Sequence, residues 1–523
     1  MSKGHPKGLI AAALSNMGER FGYYIMNAVL LLFLCSKFGI SDQVAGIIYG
    51  VFYFSIYIMA LPGGIIADKL QNYKGTIIAG LITMAAGYVA LSIPTTVTLG
   101  NKTIVLVMVC AALLLIAFGN GLFKGNLQAI VGQMYDNLEA EAAKEGPEAL
   151  ADAKAKRDPG FQIFYVFINI GGVIAPFVAP SLRQWWLRVH DMAYNSNLPA
   201  LCHQYLNNAD GMDVVKQANL ATWMAESNAN FDPSNMTAAC EQYLQVFNEG
   251  VHYSFIASVA AMLLSLCIFM IFKKRFPAPA KKSEKEVVEY TAEERASMAR
   301  DIKQRMAGLY AVLGICVFFW MSFHQNGQSL SLFARDFVNS ESIAPEVWQF
   351  LNPALVILLT PIIMWIFGTA WGRKFSTPKK ITIGMLFAGA AYLFLMIFSV
   401  NMGYPSGKDF LQQDAATIMS MKAESWVLIV TYFFLTVAEL FISPLGLSFV
   451  SKIAPKHLQG ICQGLWLSAT AIGNLLIMIG PILFNALPKL WMTWAVFMIV
   501  CFVAMLIMFG MLKWLERITA QQQ

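Results

Sequence analysis

The sequence predicts an all-α membrane protein of twelve spanning helices, arranged as two six-helix bundles with both termini in the cytoplasm. Three observations carry that reading. Of 523 residues, 57% are hydrophobic and only 13% charged, with a mean hydropathy of +0.56, a balance that soluble proteins rarely show. Twelve apolar runs, spanning roughly 9–35, 43–66, 75–93, 104–123, 161–180, 252–272, 307–333, 349–370, 381–400, 426–450, 460–486 and 490–513, are each long enough to cross about 30 Å of hydrocarbon. They are continuous rather than alternating, which excludes a β-barrel. Most of the 37 Lys and Arg fall in loops that share a side with the two termini, and that asymmetry puts this side in the cytoplasm. The net charge of +6 is therefore a topology signal, and it gives no reason to propose a nucleic-acid partner. No cleavable leader is expected, because the first run is too long and carries Glu19 and Arg20.

The first run holds the most informative stretch, Asn16-Met-Gly-Glu19-Arg20-Phe-Gly-Tyr23-Tyr24-Ile-Met-Asn27. A carboxylate and a guanidinium taken out of water each cost several kcal/mol unless paired. On a helix, Asn16, Arg20, Tyr23, Tyr24 and Asn27 are linked by steps of three and four, so they form one polar stripe that Glu19 borders. The pair reads either as a structural ion pair fixing helix packing or as part of a site. The second helix adds Tyr49, Tyr53 and Tyr57 at steps of four and ends Gly63-Gly64-Ile-Ile-Ala67-Asp68-Lys69. That ending resembles the G-x-x-x-D-[RK] loop of the major facilitator superfamily.

Helix four ends Gly119-Asn-Gly121-Leu-Phe-Lys124-Gly125-Asn126, where a lone lysine could simply snorkel to the interface. Residues 136–160 read as a solvated helical excursion. Helix five opens with Phe161-Gln-Ile-Phe-Tyr165 and carries Asn169, Gly171 and Gly172, and Pro176 and Pro180 are expected to break it. The segment 181–251 reads as an extracytoplasmic cap holding Cys202 and Cys240. An oxidising compartment would favour a disulfide between them, the alternative being two free thiols. Residues 273–306, rich in Lys and Arg, form a cytoplasmic linker. The chain so divides into an N-terminal bundle, 1–272, and a C-terminal bundle, 307–523, with a site expected between them near the midplane. In the second half, helix seven carries Trp320 and His324, helix eight opens with Asn352-Pro353, and helix ten carries Glu439 and Ser443-Pro444-Leu-Gly446. Glu439 lies in the helix corresponding to that of Lys124, so the two could face each other across a central cavity.

Together these motifs resemble the proton-dependent oligopeptide transporter family, also called the peptide transporter family, of the major facilitator superfamily. The resemblance covers nearly all twelve spans. It rests on Glu19-Arg20-Phe21 with Tyr23-Tyr24, Gly121-Leu-Phe-Lys124-Gly-Asn126, Phe164-Tyr165 with Asn169 and Gly171, Asn352-Pro353, and Glu439 through Gly446. It implies a symporter of di- and tripeptides and protons, with no cofactor, embedded as a monomer in the lipid bilayer of the plasma membrane, the inner membrane of a bacterium. Lys124 with Arg20 would draw the peptide carboxylate, while Glu439, Asn169 and Asn352 would hold the ammonium. Tyr23, Tyr24, Tyr57 and Trp320 would line side-chain pockets, with Asn27, His324 and Ser443 at the same site.

Three positions depart from the family pattern. Asn16 stands where a Glu begins the helix-one motif. Asn27 and His324 stand where the family has an Arg and a Glu that pair between the bundles on the outer side. Both charges are absent together, which strands neither, and Asn27 and His324 are expected to pair in their place. Asn16 cannot titrate, so Glu19, Glu439 and His324 remain the proton-coupling candidates. A relative moving other small solutes, or peptides with weak proton coupling, is the alternative. No phosphate-cradling loop, metal cluster or Ser-His-Asp arrangement argues for an enzyme.

Overall fold

The structure, a computed structural model, describes residues 4–98, 100–277, 292–339, 343–453 and 459–520. Residues 278–291 of the 273–306 linker lie outside the described residues, as do the side chains of Asp68 and Pro444. Twelve segments are long and apolar enough to cross a membrane: α1 Leu9–Phe38, α2 Asp42–Ala67, α3 Tyr73–Ser92, α4 Lys102–Glu145, α5 Gly160–Val189, α6 Pro233–Arg275, α7 Ile302–Asp336, α8 Pro345–Phe367, α9 Thr377–Asn401, α10 Trp426–Ser443, α11 Gly464–Ala486 and α12 Leu490–Ile518. Each overlaps one of the apolar runs. Helices satisfy their own backbone groups, which is why the apolar chain takes this form. Among the described residues only isolated bridges interrupt it, such as Met192 with Asn228.

Several helices run well past the hydrocarbon. α4 continues to Glu145, and the helix containing α5 begins at Pro147, so the 136–160 excursion is helical. The reversal falls on Gly146, whose φ of +132° suits glycine and strains other residues. Arg157 ties the two arms by pairing with Asp136 at 2.7 Å and Glu139 at 3.2 Å. The expected break at Pro176 and Pro180 does not occur: α5 continues through both prolines to Val189. Neighbouring helices in a membrane bundle can absorb the backbone groups a proline frees. α6 likewise begins far upstream of the expected 252, as part of the helix Met236–Phe272. The cap is therefore smaller than 181–251. It consists of two short helices, Leu198–Asn207 and Val214–Ser227, standing on the extended ends of α5 and α6.

Cys202 and Cys240 meet inside this cap, buried and with their side chains in contact, but as free thiols rather than the expected disulfide. Burial pushes the Cys202 thiol well above its ordinary value.

Packing within the first half runs α3 on α4, α1 on α5 and α6, and α5 on α6; within the second, α9 packs on α10 and α12, and α7 on α11 and α12. The halves meet along two seams, α2 against α11 and α5 against α8. Small residues set the tightest approaches. A Cβ at Gly121 of α4 would lie 2.3 Å from the Met59 carbonyl oxygen of α2, and one at Gly63 would lie 2.1 Å from the Gly121 oxygen. Neither neighbour is a side chain that can swing aside, so Gly121→Val should cost at least the 1–3 kcal/mol, roughly, of an overpacked core. A thermal unfolding scan in detergent should show a lower transition temperature, and an unchanged one would mean α2 and α4 can part freely.

Candidate functional site

The polar stripe of α1 packs largely within its own half, against α2 and α4. Arg20 grips Glu19 in a fork, Nε donating to Oε2 at 2.6 Å and Nη2 to Oε1 at 2.7 Å. Asn120 of α4 donates a further bond to Glu19 Oε1 at 2.7 Å. Glu19 is wholly buried and held from two helices. The guanidinium also covers the ring of Tyr23 at 4.6 Å. Lys124 behaves differently. Its ammonium sits over the ring of Tyr57 at 4.6 Å, and among the described residues no carboxylate pairs with it. A ring face attracts a cation but cannot neutralise it.

The opposite pole is on α10. Glu439 Oε2 accepts from Asn352 Nδ2 of α8 at 2.7 Å, and the same amide reaches Thr436 at 3.2 Å. Ser443 follows one turn later, half-buried. Among the described residues Glu439 has no cation partner, and Lys124 does not touch it. Tyr24 and Tyr57 lie within electrostatic reach of both Arg20 and Glu439. Tyr24 and Pro353 also flank Gly172, which brings α1, α5 and α8 together. Asn169 is not part of the Glu439 cluster: its amide bonds back to the Tyr165 carbonyl of its own helix at 3.0 Å.

The expected Asn27–His324 pair is not formed. The amide oxygen of Asn27 instead accepts from the hydroxyls of Tyr49 at 2.9 Å and Tyr23 at 3.3 Å. Tyr53 stands edge-on to the His324 ring at 5.1 Å and stacks on Tyr23 at 6.5 Å. Aromatic rings of α2 thus fill the space between the two residues. His324 itself stacks on Trp320 at 5.1 Å, and its Nδ1 has no hydrogen-bond partner. At His324 α7 tightens into a 3-10 stretch, His324–Gly327, a common mark of a hinge. Trp320 is buried between His324 and Trp466 rather than lining an open wall.

The ion pairs between the halves lie at the end bearing the cap. Asp42 of α2 takes Nη1 and Nη2 of Arg335 at 2.9 and 3.0 Å, and Arg335 also grips its neighbour Asp336 at 2.7 Å. Asn485 of α11 adds a bond to Asp42 at 3.3 Å. Arg183 of α5 pairs with Glu346 at the start of α8 at 2.6 Å, both buried. Gln349 to the Ala28 carbonyl and Gln328 to that of Gly46 complete this closure. Sequence reasoning missed these pairs because it looked for a bridge at Asn27 and His324. Charges of opposite sign stand at the ends of α2, α5, α7 and α8, but nothing in the sequence says which of them pair.

The POT family model matches residues 74–290 and 279–492, far more than half of the chain. The chain belongs to the POT family. It is accordingly a multi-pass membrane protein of a transporter family, with the fold of the major facilitator superfamily. It is similar to the peptide transporter YePEPT of Yersinia enterocolitica, at 27% identity across 99% of this chain and 97% of that one. It is also similar to dipeptide and tripeptide permease B of the same species, at 25% identity across 90% and 85%. Among solved structures it superposes on a peptide transporter POT in complex with sulfate, with a TM-score of 0.68 at 19% identity over 100% of this chain and 97% of the other. A POT family transporter in complex with 5-aminolevulinic acid gives 0.68 at 19% identity over 99% and 98%. In this POT family chain the two halves are held shut at the cap end by ions rather than by the Asn27–His324 contact.

Breaking a buried ion pair from one side leaves an uncompensated charge, at roughly 3–5 kcal/mol. Arg335→Ala should therefore favour opening at the cap end. A cysteine introduced at Ala28 should react faster with a thiol reagent applied from that side. An unchanged labelling rate would show that the apolar seams alone keep this end closed.

Proposed function

We propose that this chain imports di- and tripeptides together with protons, by alternating access between its two halves. The observation that carries the proposal is the pair of separated poles: among the described residues, Lys124 on α4 pairs with no carboxylate, and Glu439 on α10 has only neutral partners. A buried cation and a buried anion held apart are matched by a zwitterion of suitable length. The names of the similar proteins, a peptide transporter and a dipeptide and tripeptide permease, point the same way. In this reading Lys124 and Arg20 take the peptide carboxylate, and Glu439 with Asn352 takes the ammonium. Tyr23, Tyr24 and Tyr57 shape the space between, with Trp320 buried behind them. The task is transport rather than catalysis, and each chain works as a monomer, although a solved relative is described as tetrameric.

The division into 1–272, a 273–306 linker and 307–523 supplies the two bodies that rock. The excess of Lys and Arg in the terminus-side loops supports a cytoplasmic placing of both termini, in the plasma or bacterial inner membrane. The cap then faces outward, and the closed cap end makes this the inward-facing arrangement.

Of the proton-coupling candidates, Glu439 fits best. Protonating Glu19 would strip Arg20 of its counter-charge, whereas protonating Glu439 alters one hydrogen bond to a neutral amide. His324 is walled in by Tyr53, Trp320 and Phe323, and among the described residues no carboxylate pairs with its ring.

Uptake of labelled dialanine into proteoliposomes, with and without an inward proton gradient, tests the whole reading. Lys124→Ala and Glu439→Ala should each abolish accumulation while leaving the protein folded and monodisperse. Glu439→Gln should abolish gradient-driven accumulation yet keep peptide exchange across the membrane. Parental accumulation in either alanine variant would remove those residues from the site, and gradient-driven accumulation by Glu439→Gln would move the proton elsewhere.

A further inference from the structure

The cap carries a buried polar side chain that is spent on the other half of the molecule. Asn219 lies inside the cap helix Val214–Ser227, with only 4% of its surface exposed. Asparagine is a poor helix former, because its amide competes with the backbone, so a buried one within a helix calls for a partner elsewhere. That partner is a stretch of backbone between α9 and α10. Asn219 Nδ2 donates to the Gln413 carbonyl at 2.9 Å, and Asn219 Oδ1 accepts from the Ala415 N–H at 2.9 Å. Asp414 between them is extended, at φ −68° and ψ 154°, which turns the carbonyl before it and the N–H after it to one side. An asparagine amide holds a donor and an acceptor side by side, so it matches that edge much as a neighbouring strand would.

Each partner is anchored in its own half. The cap is fixed to the first half where His203 Nε2 donates to the Ser36 carbonyl of α1 at 2.6 Å, and where the Tyr243 hydroxyl of α6 donates to the Ala193 carbonyl at 3.1 Å. The α9–α10 connection is fixed to the second half at Phe337, just past α7. There the Ala423 N–H donates to the Phe337 carbonyl at 2.7 Å, and the Phe410 ring stacks on that of Phe337 at 4.3 Å. The Asn219 contact therefore ties one body to the other. Neither side of it is charged, so it holds without the ion pairs of Arg335 and Arg183.

We propose that the cap is a clasp between the halves: Asn219 grips the backbone edge at 413–415 while the cap end is shut, and lets go of it when that end opens. The proposal rests on the alternating-access reading and adds to it a second, charge-free lock at the rim. An aspartate in place of Asn219 turns an oxygen, instead of an N–H, toward the Gln413 carbonyl, so an attraction becomes a repulsion.

The test follows thiol labelling of Ala28→Cys in the purified full chain, with Cys35, Cys110 and Cys267, the native thiols that are not buried, changed to Ser. Asn219→Ala should raise the labelling rate about 10-fold, as two neutral hydrogen bonds are lost, and Asn219→Asp should raise it further. Ala415→Pro removes the same N–H from the opposite side. Ala415 is the first residue of the helix Ala415–Met421, where proline suits a helix, and extended Asp414 suits the residue before a proline. This variant should raise the rate about 3-fold, the worth of one such bond. Combined with Asn219→Ala it should add nothing, since the bond it removes is already gone; a product of about 30-fold would mean independent effects and would overturn the clasp. An effect confined to Asn219→Ala would overturn it too, because the amide would then serve only the fold of the cap. So would rates that neither variant changes. Should Asn219→Ala fail to fold, Ala415→Pro decides by itself. No peptide enters this measurement, so failure of the transport reading would show separately, as an absence of dialanine uptake by the parent chain.

Discussion

A charge buried away from water must find a partner of opposite sign or coordinate a strong dipole, and this constraint sorts the ionisable groups of the protein into two kinds. Glu19 with Arg20, Arg183 with Glu346, and Arg335 with Asp42 and Asp336 are compensated inside the chain. Among the described residues Lys124 and Glu439 have no such partner. The first kind holds helices in place, and two of its members hold one half of the molecule to the other. In the proposed peptide-transport reading, the second kind is left for something that arrives. The division follows from partner geometry, since members of both kinds sit inside apolar helices of similar composition.

The compensated pairs also explain how an apolar bundle can have a mobile seam. Hydrocarbon tails compete well with side chains for apolar surface, so packing alone gives a membrane bundle little preference between closed and open halves. Ion pairs supply the preference, because parting them exposes or strands charge. Among the described residues, the other end of the interface is held by contacts such as Gln162 with the Met364 sulfur at 3.8 Å. Asymmetry of this kind is what an alternating mechanism requires, with one end bolted while the other is free.

The spans were legible because each is a continuous apolar run, and the length needed to cross hydrocarbon is a hard physical bound. The two poles were legible too, because a lone charge in such a run demands explanation. Helix ends were less so: α5 passes Pro176 and Pro180, and α6 starts at its cap-side foot, since tertiary neighbours rather than local sequence decide where a helix stops. The pairing of Arg183 with Glu346 was not legible at all. Its members lie 163 positions apart in the chain, and nothing near either one names the other. Cys202 and Cys240 were legible as neighbours, yet their bonding state depends on a burial that spacing does not reveal.

The replacement at Asn27 and His324 shows how a lost ion pair can be absorbed without a like-for-like substitute. An Asn–His hydrogen bond would restore direct contact across the interface, but it needs the two side chains to meet, and the rings of Tyr49 and Tyr53 are in the way. Those rings meet the polar demand from one side: the Tyr49 and Tyr23 hydroxyls satisfy the Asn27 oxygen. On the other side Tyr53 offers His324 an edge-to-face aromatic contact, a geometry that contributes roughly 0.5–1.5 kcal/mol between aromatic rings. Such a contact resists separation far less than a buried ion pair does. The work of closing the cap end therefore moves outward along the same interface, to Arg335 with Asp42 and to Arg183 with Glu346, where charges of opposite sign are already in reach.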